Sequence, residues 1–273
     1  MPTDCLSADR ENVAAFSRLP VAVNLPLLLR ALSRITEPQW QAHFNSGHYS
    51  GDWAGVALIS QADAPSELAP GQGPAVERAP WLGDPHWRLA LKDLLLEIRS
   101  ARLLRLGPGS CIHEHRDYDL HGEDADRRLH IPLLSPPDVD FMLEDRRVPM
   151  SAGECWFLDL ARAHSVDNHG AHARIHLVLD CRPNGWLDQQ IQSGLATTPA
   201  AGVGRAQQAL ARFRERLEND PQLCAALQGI ADSSTFIARA LALAAEHGLS
   251  LSEPVLRAAM REGRSRWNRQ WTV

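Results

Sequence analysis

The chain reads as a mainly-β domain, an antiparallel barrel or jelly roll with flanking helices, that continues into a small α-helical domain. Two changes in apolar spacing carry this. From Ala101 to Asp180 short apolar runs alternate with turn-forming clusters. Beyond a linker rich in small residues the spacing becomes that of amphipathic helices.

Along the chain, the stretch up to about Glu97 mixes short apolar runs with loops. Gln61 to Pro80, rich in Ala, Pro and Gly, reads as an irregular excursion. Trp87 to Ile98, with Leu89, Leu91, Leu94, Leu95 and Ile98, predicts an amphipathic helix. Strands are predicted at Arg102–Leu106, Arg128–Leu134, Val139–Leu143, Cys155–Leu158 and Arg174–Asp180. Gly107-Pro108-Gly109, Ser135-Pro136-Pro137 and Ser151-Ala152-Gly153 punctuate them. The strand-bearing domain is thus set at 1–192, with its jelly-roll core at about 101–182, and a linker at 193–204. In the helical part, 205–273, Phe213 and Leu217 are four apart. Leu223, Ala226, Leu227 and Ile230 share one face, as do Phe236, Ala240, Leu243 and Ala244. Asp232-Ser233-Ser234 supplies a cap for the second helix, Gly248 a stop, and Ser252-Glu253-Pro254 a third start.

Composition narrows the function. The 273 residues are 44% apolar and 22% charged, which is ordinary for a globular protein. The net charge of −5 argues against a nucleic-acid binder working by bulk electrostatics. Lys92 is the only lysine, so arginine supplies nearly all positive charge. The five cysteines (Cys5, Cys111, Cys155, Cys181, Cys224) are dispersed, as expected of reduced thiols in the cytoplasm. No signal peptide is expected at Met1–Leu19. The run Val21–Ile35 is too short and too polar to span a bilayer.

The chemistry concentrates in the strand region, where eight of the twelve histidines lie between His113 and His176. In His113-Glu114-His115-Arg116-Asp117, residues two apart on a strand share a face, roughly 6.5–7 Å apart. His115 and Asp117 can therefore reach one metal from one side, with His164 the natural third ligand from another strand. Two imidazoles and a carboxylate on one face of an octahedron leave three adjacent positions open, the set used by Fe(II) oxygenases. His113 is a rival ligand, being on the same strand face as His115. Arg174 begins a strand on which it shares a face with His176 and Val178, opposite Ile175, Leu177 and Leu179. Arg128-Leu129-His130-Ile131-Pro132-Leu133 divides the same way. The polar faces point either to solvent or into a ligand-holding lumen. In the second case the two-pronged guanidinium of Arg174 suits the distal carboxylate of 2-oxoglutarate.

Ordered motifs run from about Gln39 to Leu187, among them Arg105-Leu106-Gly107-Pro108-Gly109-Ser110, Glu114-His115-Arg116-Asp117, Arg128-Leu129-His130-Ile131-Pro132 and Gly153-Glu154-Cys155-Trp156-Phe157-Leu158. They resemble the aspartyl/asparaginyl β-hydroxylase family, which includes bacterial free-proline hydroxylases. His164-Ser165-Val166-Asp167-Asn168 and Arg174 through Asp180 continue the pattern, and His43-Phe44-Asn45 through Trp53 resembles the opening of bacterial members. The resemblance implies a cupin-like double-stranded β-helix. It implies iron ligands at His115, Asp117 and His164, with the cosubstrate held by Arg174, Arg128 and His130. It also implies use of Fe(II), 2-oxoglutarate and O2 to hydroxylate an amino-acid side chain, free or in a peptide. Animal aspartyl hydroxylases of the family lack the carboxylate ligand, so Asp117 makes the chain look more like the proline-hydroxylase branch.

The tail, Ala211-Arg212-Phe213 through Leu223 and Ala244 through Ser252, resembles a nitrogen-fixation-type leader-peptide domain, which implies a ribosomally made precursor peptide as a partner. Asn45, Tyr49 and Trp53 are either substrate-mouth or ordinary structural residues. Trp156 reads as core. Trp267 and Trp271 read as a local packing pair or a docking face. Two other functional classes remain: a cupin-type metal enzyme, which would not need Arg174, and a non-enzymatic peptide-binding module.

Overall fold

The computed structural model describes residues 14–122, 124–144, 146–197 and 204–249, and in the tail 251, 253, 255–257, 259–261 and 263. Among the described residues before the tail, thirteen strands form two antiparallel sheets. In the larger sheet β1 (Phe16–Arg18), β11 (Trp156–Leu158), β8 (Arg127–Leu134), β13 (Arg174–Cys181), β6 (Ile98–Leu106), β4 (Trp53–Gln61) and β2 (Gln41–Ala42) lie in that order, and β5 (Ala75–Glu77) also pairs with β4. The smaller sheet runs β10 (Arg146–Arg147), β9 (Val139–Leu143), β12 (His164–Asn168), β7 (Cys111–His115), β3 (Tyr49–Ser50). Neighbours in each sheet, the β9–β10 and β4–β5 pairs apart, are not consecutive in the chain, as in a jelly roll or double-stranded β-helix. The sheets draw in strands β1 to β5, which precede residue 101.

Side-chain alternation explains why the long strands are buried on both faces. On β13, Ile175, Leu177, Leu179 and Cys181 join Leu129, Ile131 and Leu133 of β8 in one apolar cluster. Helix α1 (Leu25–Leu32) covers that cluster with Leu28 and Ala31, and α3 (His86–Leu91) covers it with Trp87 and Leu91. Trp81, on the short helix α2 (Ala79–Gly83), and Leu187 of α4 (Gly185–Gln192) complete the layer. Fully burying each such aliphatic side chain contributes roughly 1.5–3 kcal/mol. A second cluster lies at the inner faces, where Leu106, Ile112, Phe141, Leu143, Trp156 and Val166 meet. Trp156 is core, as its sequence context suggested.

Two expectations change. The helix predicted over Trp87–Ile98 ends at Leu91, and Ile98 opens β6. Past Lys92 the apolar residues Leu94, Leu96 and Ile98 are partly buried while Leu95 is 63% exposed. That is a period of two, so this segment is extended. The nine residues of β4, buried throughout, were not foreseen, because a continuously apolar run carries no alternation to mark it as a strand. Gln61–Pro80 is mostly irregular apart from β5. There Asp63 accepts hydrogen bonds from the backbone N–H groups of Gln72 and Gly73.

The chain divides into two compact units, Met1–Gly202 and Val203–Val273. The second has its own core, in which Phe213 of α5 (Arg205–Asn219), Leu223 of α6 (Pro221–Ala225), and Ile237, Ala240, Leu243 and Ala244 of α7 (Ser233–Glu246) are buried together. Asp232 caps α7 by accepting from the Thr235 N–H at 2.7 Å, and Gly248 follows with φ 70°. The expected third start at Ser252 and Pro254, and the pair Trp267 and Trp271, lie outside the described residues. No helix among the described residues is long and apolar enough to cross a membrane.

Candidate active site

The polar faces of the long strands turn inward. A cavity of about 390 Å³ is lined by Arg102, Arg128, His130 and Arg174 of the larger sheet, and by Ile112, His115, Phe141 and His164 of the smaller one. Asp117 lies just past β7, in extended backbone at φ −90°, ψ 93° ahead of a single turn at Tyr118–Leu120.

His115 and His164 face one another in register across β7 and β12, their ring centroids 4.2 Å apart. His115 Nε2 lies 3.6 Å from Asp117 Oδ1, and His164 Nε2 lies 4.0 Å from Asp117 Oδ2. The other nitrogen of each ring is already used. His115 Nδ1–H donates to the His113 carbonyl at 2.7 Å, and His164 Nδ1–H donates to the Arg162 carbonyl at 3.0 Å. These bonds select the tautomer whose Nε2 lone pair points at the carboxylate, the support a metal-binding imidazole needs. Burial lowers the His164 pKa to about 4, which keeps this ring neutral at physiological pH. Among the described residues this is the only group of three His, Cys, Asp or Glu side chains that converges so closely, with ligand atoms within 4.8 Å of one another.

His113 does not join them; its Nε2 lies 3.0 Å from Ser50 Oγ. The reason is a bulge. Val166 pairs with Ile112 and His164 with His115, so two steps on β12 match three on β7. Ile112 and His115 therefore both reach the cavity, and the strict alternation that made His113 a rival is broken.

Arg174 is 2% exposed, and no carboxylate among the described residues pairs with it. Its NH2 donates to His176 Nδ1 at 2.7 Å, its Nε has no acceptor, and its guanidinium lies 5.8 Å from the centre of the Phe141 ring. Desolvation alone pulls its pKa down to about 9. A buried guanidinium without an acid is costly, and this one lines the cavity. His130 stands beside it, its Nδ1 3.3 Å from His176 Nδ1, and the Nε2 atoms of both rings are buried without partners. Burial holds both imidazoles far below their ordinary pKa, hence neutral.

Arg128, expected beside the cosubstrate, is engaged otherwise. Its Nε and NH2 donate to Asp180 Oδ1 and Oδ2 at 2.6 and 3.0 Å, and its NH1 donates to Asp117 Oδ2. Burial opposes its charge, but the carboxylates of Asp180 and Asp117 overrule it and raise the Arg128 pKa. Asp180 Oδ2 also accepts from Arg102 NH2 at 2.7 Å. Burial alone would raise the Asp180 pKa, but the two guanidiniums hold it far below the carboxylate range.

At the mouth, His43 stacks on Trp53 with centroids 3.5 Å apart, and burial lowers its pKa to about 3. Asn45 Nδ2–H donates to His48 Nδ1 at 3.0 Å, and the His48 ring lies 5.0 Å from that of His115. Asn45 and Trp53 line the cavity, while Tyr49 packs edge-on against Trp53 behind it. Leu68 and Pro70 reach the lining from the irregular excursion, and the exposed rings of Phe44 and Tyr118 stand at the rim. Sequence reasoning missed His48, Arg102, Asp180, Leu68 and Pro70. Asp180 alone had a local signal, because it continues the face of Arg174, His176 and Val178 at a step of two.

Comparison with known proteins bears on the same stretch. The chain is 34% identical over 83 residues to L-proline cis-4-hydroxylase of Rhizobium meliloti (strain 1021), covering 30% of this chain and 29% of that protein. It is 32% identical over 91 residues to L-proline cis-3-hydroxylase 1 of a Streptomyces species, covering 33% of this chain and 31% of the relative. The aligned parts thus span less than a third of either relative's length. Among solved structures, a Pseudomonas putida prolyl-4-hydroxylase is similar at a TM-score of 0.38 and 15% identity, covering 63% of this chain and 94% of that one. The family model for aspartyl/asparaginyl beta-hydroxylases matches residues 34–183, more than half of the 273. Since that span holds the His115, Asp117 and His164 cluster and Arg174 together with every strand of the two sheets except β1, the chain belongs to the aspartyl/asparaginyl beta-hydroxylase family.

Proposed function

We propose that the protein is an Fe(II)- and 2-oxoglutarate-dependent dioxygenase that hydroxylates an amino-acid side chain, free or within a peptide. The observation that carries this is a pairing inside one cavity. Two imidazoles and a carboxylate converge on one point, and a buried guanidinium that no carboxylate among the described residues pairs with lines the same space. The donor set suits Fe(II), being mixed nitrogen and oxygen with one negative charge. Arg174 suits an anion, because a charge-assisted bond there would relieve its desolvation.

His115, Asp117 and His164 would hold the metal through Nε2, a carboxylate oxygen and Nε2. Arg174 would grip the distal carboxylate of 2-oxoglutarate, with His130 offering a further polar contact and His176 behind Arg174 accepting from its NH2. Arg128 belongs instead with Asp117. Bound Fe(II), with 2-oxoglutarate and O2, supplies the oxidising chemistry that places a hydroxyl on a C–H bond while 2-oxoglutarate becomes succinate and CO2. Phe141, Leu160 and Val166 line the cavity and keep it poor in water. The mouth, with Phe44, Asn45, His48 and Trp53, would receive the amino acid or peptide. The thiols of Cys111, Cys155, Cys181 and Cys224 are free, which suits the cytoplasm, where we place the protein.

The test incubates the full chain with Fe(II), 2-oxoglutarate and a panel of free amino acids and peptides, precursor peptides included. Mass spectrometry should find one member gaining one oxygen atom, with succinate formed in step and lost on chelation. Absence of succinate with every member, or succinate formation indifferent to iron, contradicts the proposal.

A further inference from the structure

Of the three converging side chains, the carboxylate has the least support from its own strand. His115 and His164 are fixed by strand pairing and by bonds to backbone carbonyls. Asp117 lies beyond β7, where its backbone N–H donates to the Leu160 carbonyl at 2.9 Å. Its side chain is oriented from the opposite sheet. Arg128 NH1 takes Oδ2, while Oδ1 faces His115 at 3.6 Å.

Arg128 is in turn locked. Asp180 and Arg128 are cross-strand partners in the β13–β8 register, and the Asp180 carboxylate meets the guanidinium through both oxygens. Its Oδ2 is tied again to Arg102 on β6, whose NH1 donates to Ser100 Oγ at 3.1 Å. Asp180 and Arg102 are buried, and Arg128 nearly so. This chain of bonds leads from three strands of the larger sheet to one oxygen of a loop residue under the smaller sheet.

We infer that Asp180 is a positioning residue for the metal site, acting through Arg128, whose fork holds Oδ2 of Asp117 on the His164 side and leaves Oδ1 to face His115. The inference rests on the reading of His115, Asp117 and His164 as ligands. A planar fork holds Asp180 through two parallel bonds while reaching Asp117, a fixed geometry that an ammonium on a flexible stem does not reproduce. Outer-sphere groups that orient a ligand typically change metal affinity about 10–100-fold when removed.

The experiment titrates Mn(II) into the full chain by calorimetry under argon and records the visible spectrum of the Co(II) form, neither of which needs turnover. Asp180→Asn keeps the shape and removes the charge. It should weaken Mn(II) binding by about 10–100-fold and alter the Co(II) bands. Wild-type affinity and an unaltered spectrum in folded Asp180→Asn would overturn the inference. Should that variant not fold, Arg128→Lys keeps a cation beside Asp180 but lacks the fork. At least a tenfold loss of Mn(II) affinity is then expected, and none would overturn the inference. In a cycle with Arg128→Gln the two changes should be strongly non-additive, because they cut one relay; additive losses would mean independent structural damage and would also overturn it. Failure of the wild-type chain to bind Mn(II) at all would instead remove the ligand reading, and this inference with it.

Discussion

Arg174 is the side chain whose surroundings make least sense without a ligand. It is fully buried, its Nε lacks an acceptor, and its polar neighbour is the neutral His176. Replacing an uncompensated buried charge with an apolar group is often neutral or stabilising. A charge-assisted bond contributes about 1.5–3 kcal/mol. Arg174→Met should therefore do two opposite things. The 2-oxoglutarate requirement should rise by roughly 10–100-fold, in line with that energy. The thermal midpoint of the ligand-free protein should stay level or rise. Steady-state kinetics and a thermal melt check both, and an unchanged cosubstrate requirement would take Arg174 out of the site. The residues of the cavity were legible in proportion to how local their signal is. His115 and Asp117 are two apart, and Arg174 heads a strand with a clear polar face. The engagement of Arg128 by Asp180, 52 positions away, has no local trace.

Among the elements, strands whose faces differ in polarity were readable, and β9 has the predicted ends, Val139–Leu143. Those defined by long-range cover were not. Strand β4 is buried throughout and shows no period, and the run after Leu91 mimics a helix until Leu95 is seen to face water. The bulge in β7 is equally invisible in the sequence, yet it decides that Ile112 and His115, not His113, reach the cavity. One turn makes a stability prediction. β9 and β10 pair Leu143 with Arg146, and Glu144 between them has φ 56°, the left-handed region that β-carbon-bearing residues avoid. Glu144→Gly should relieve that strain and stabilise the protein by about 0.5–1 kcal/mol. That corresponds to roughly 1–4 °C in the melting midpoint for a domain of this size. A lower midpoint would mean that the 3.5 Å ion pair with Arg162 outweighs the strain.

For the whole molecule, the decisive feature is that polar groups are buried between apolar layers. His130 and His176 are held neutral, and the His43 and His164 pKa values are lowered to about 3 and about 4. In the unfolded chain each would titrate near 6.5. Between pH 6.5 and about 4 the unfolded state therefore binds more protons than the folded one, so stability rises with pH through this window and falls as pH falls. Above it the histidine contribution is flat. A urea midpoint measured across this range should drop steadily on acidification, and His176→Phe should flatten the slope. A midpoint that holds steady or climbs on acidification would contradict the burial described. The second unit has a helical core of its own, centred on Phe213, Leu223 and Leu243, and takes no part in the argument for chemistry.

The central claim is that one metal, held by His115, Asp117 and His164, receives 2-oxoglutarate gripped by Arg174. Anaerobic visible spectroscopy tests it most directly. Adding 2-oxoglutarate to the Fe(II)-loaded protein under argon should produce a metal-to-keto-acid charge-transfer band, absent in His164→Ala and shifted to higher 2-oxoglutarate concentrations in Arg174→Met. No band in the wild-type protein, or a band of full intensity in His164→Ala, would contradict the account.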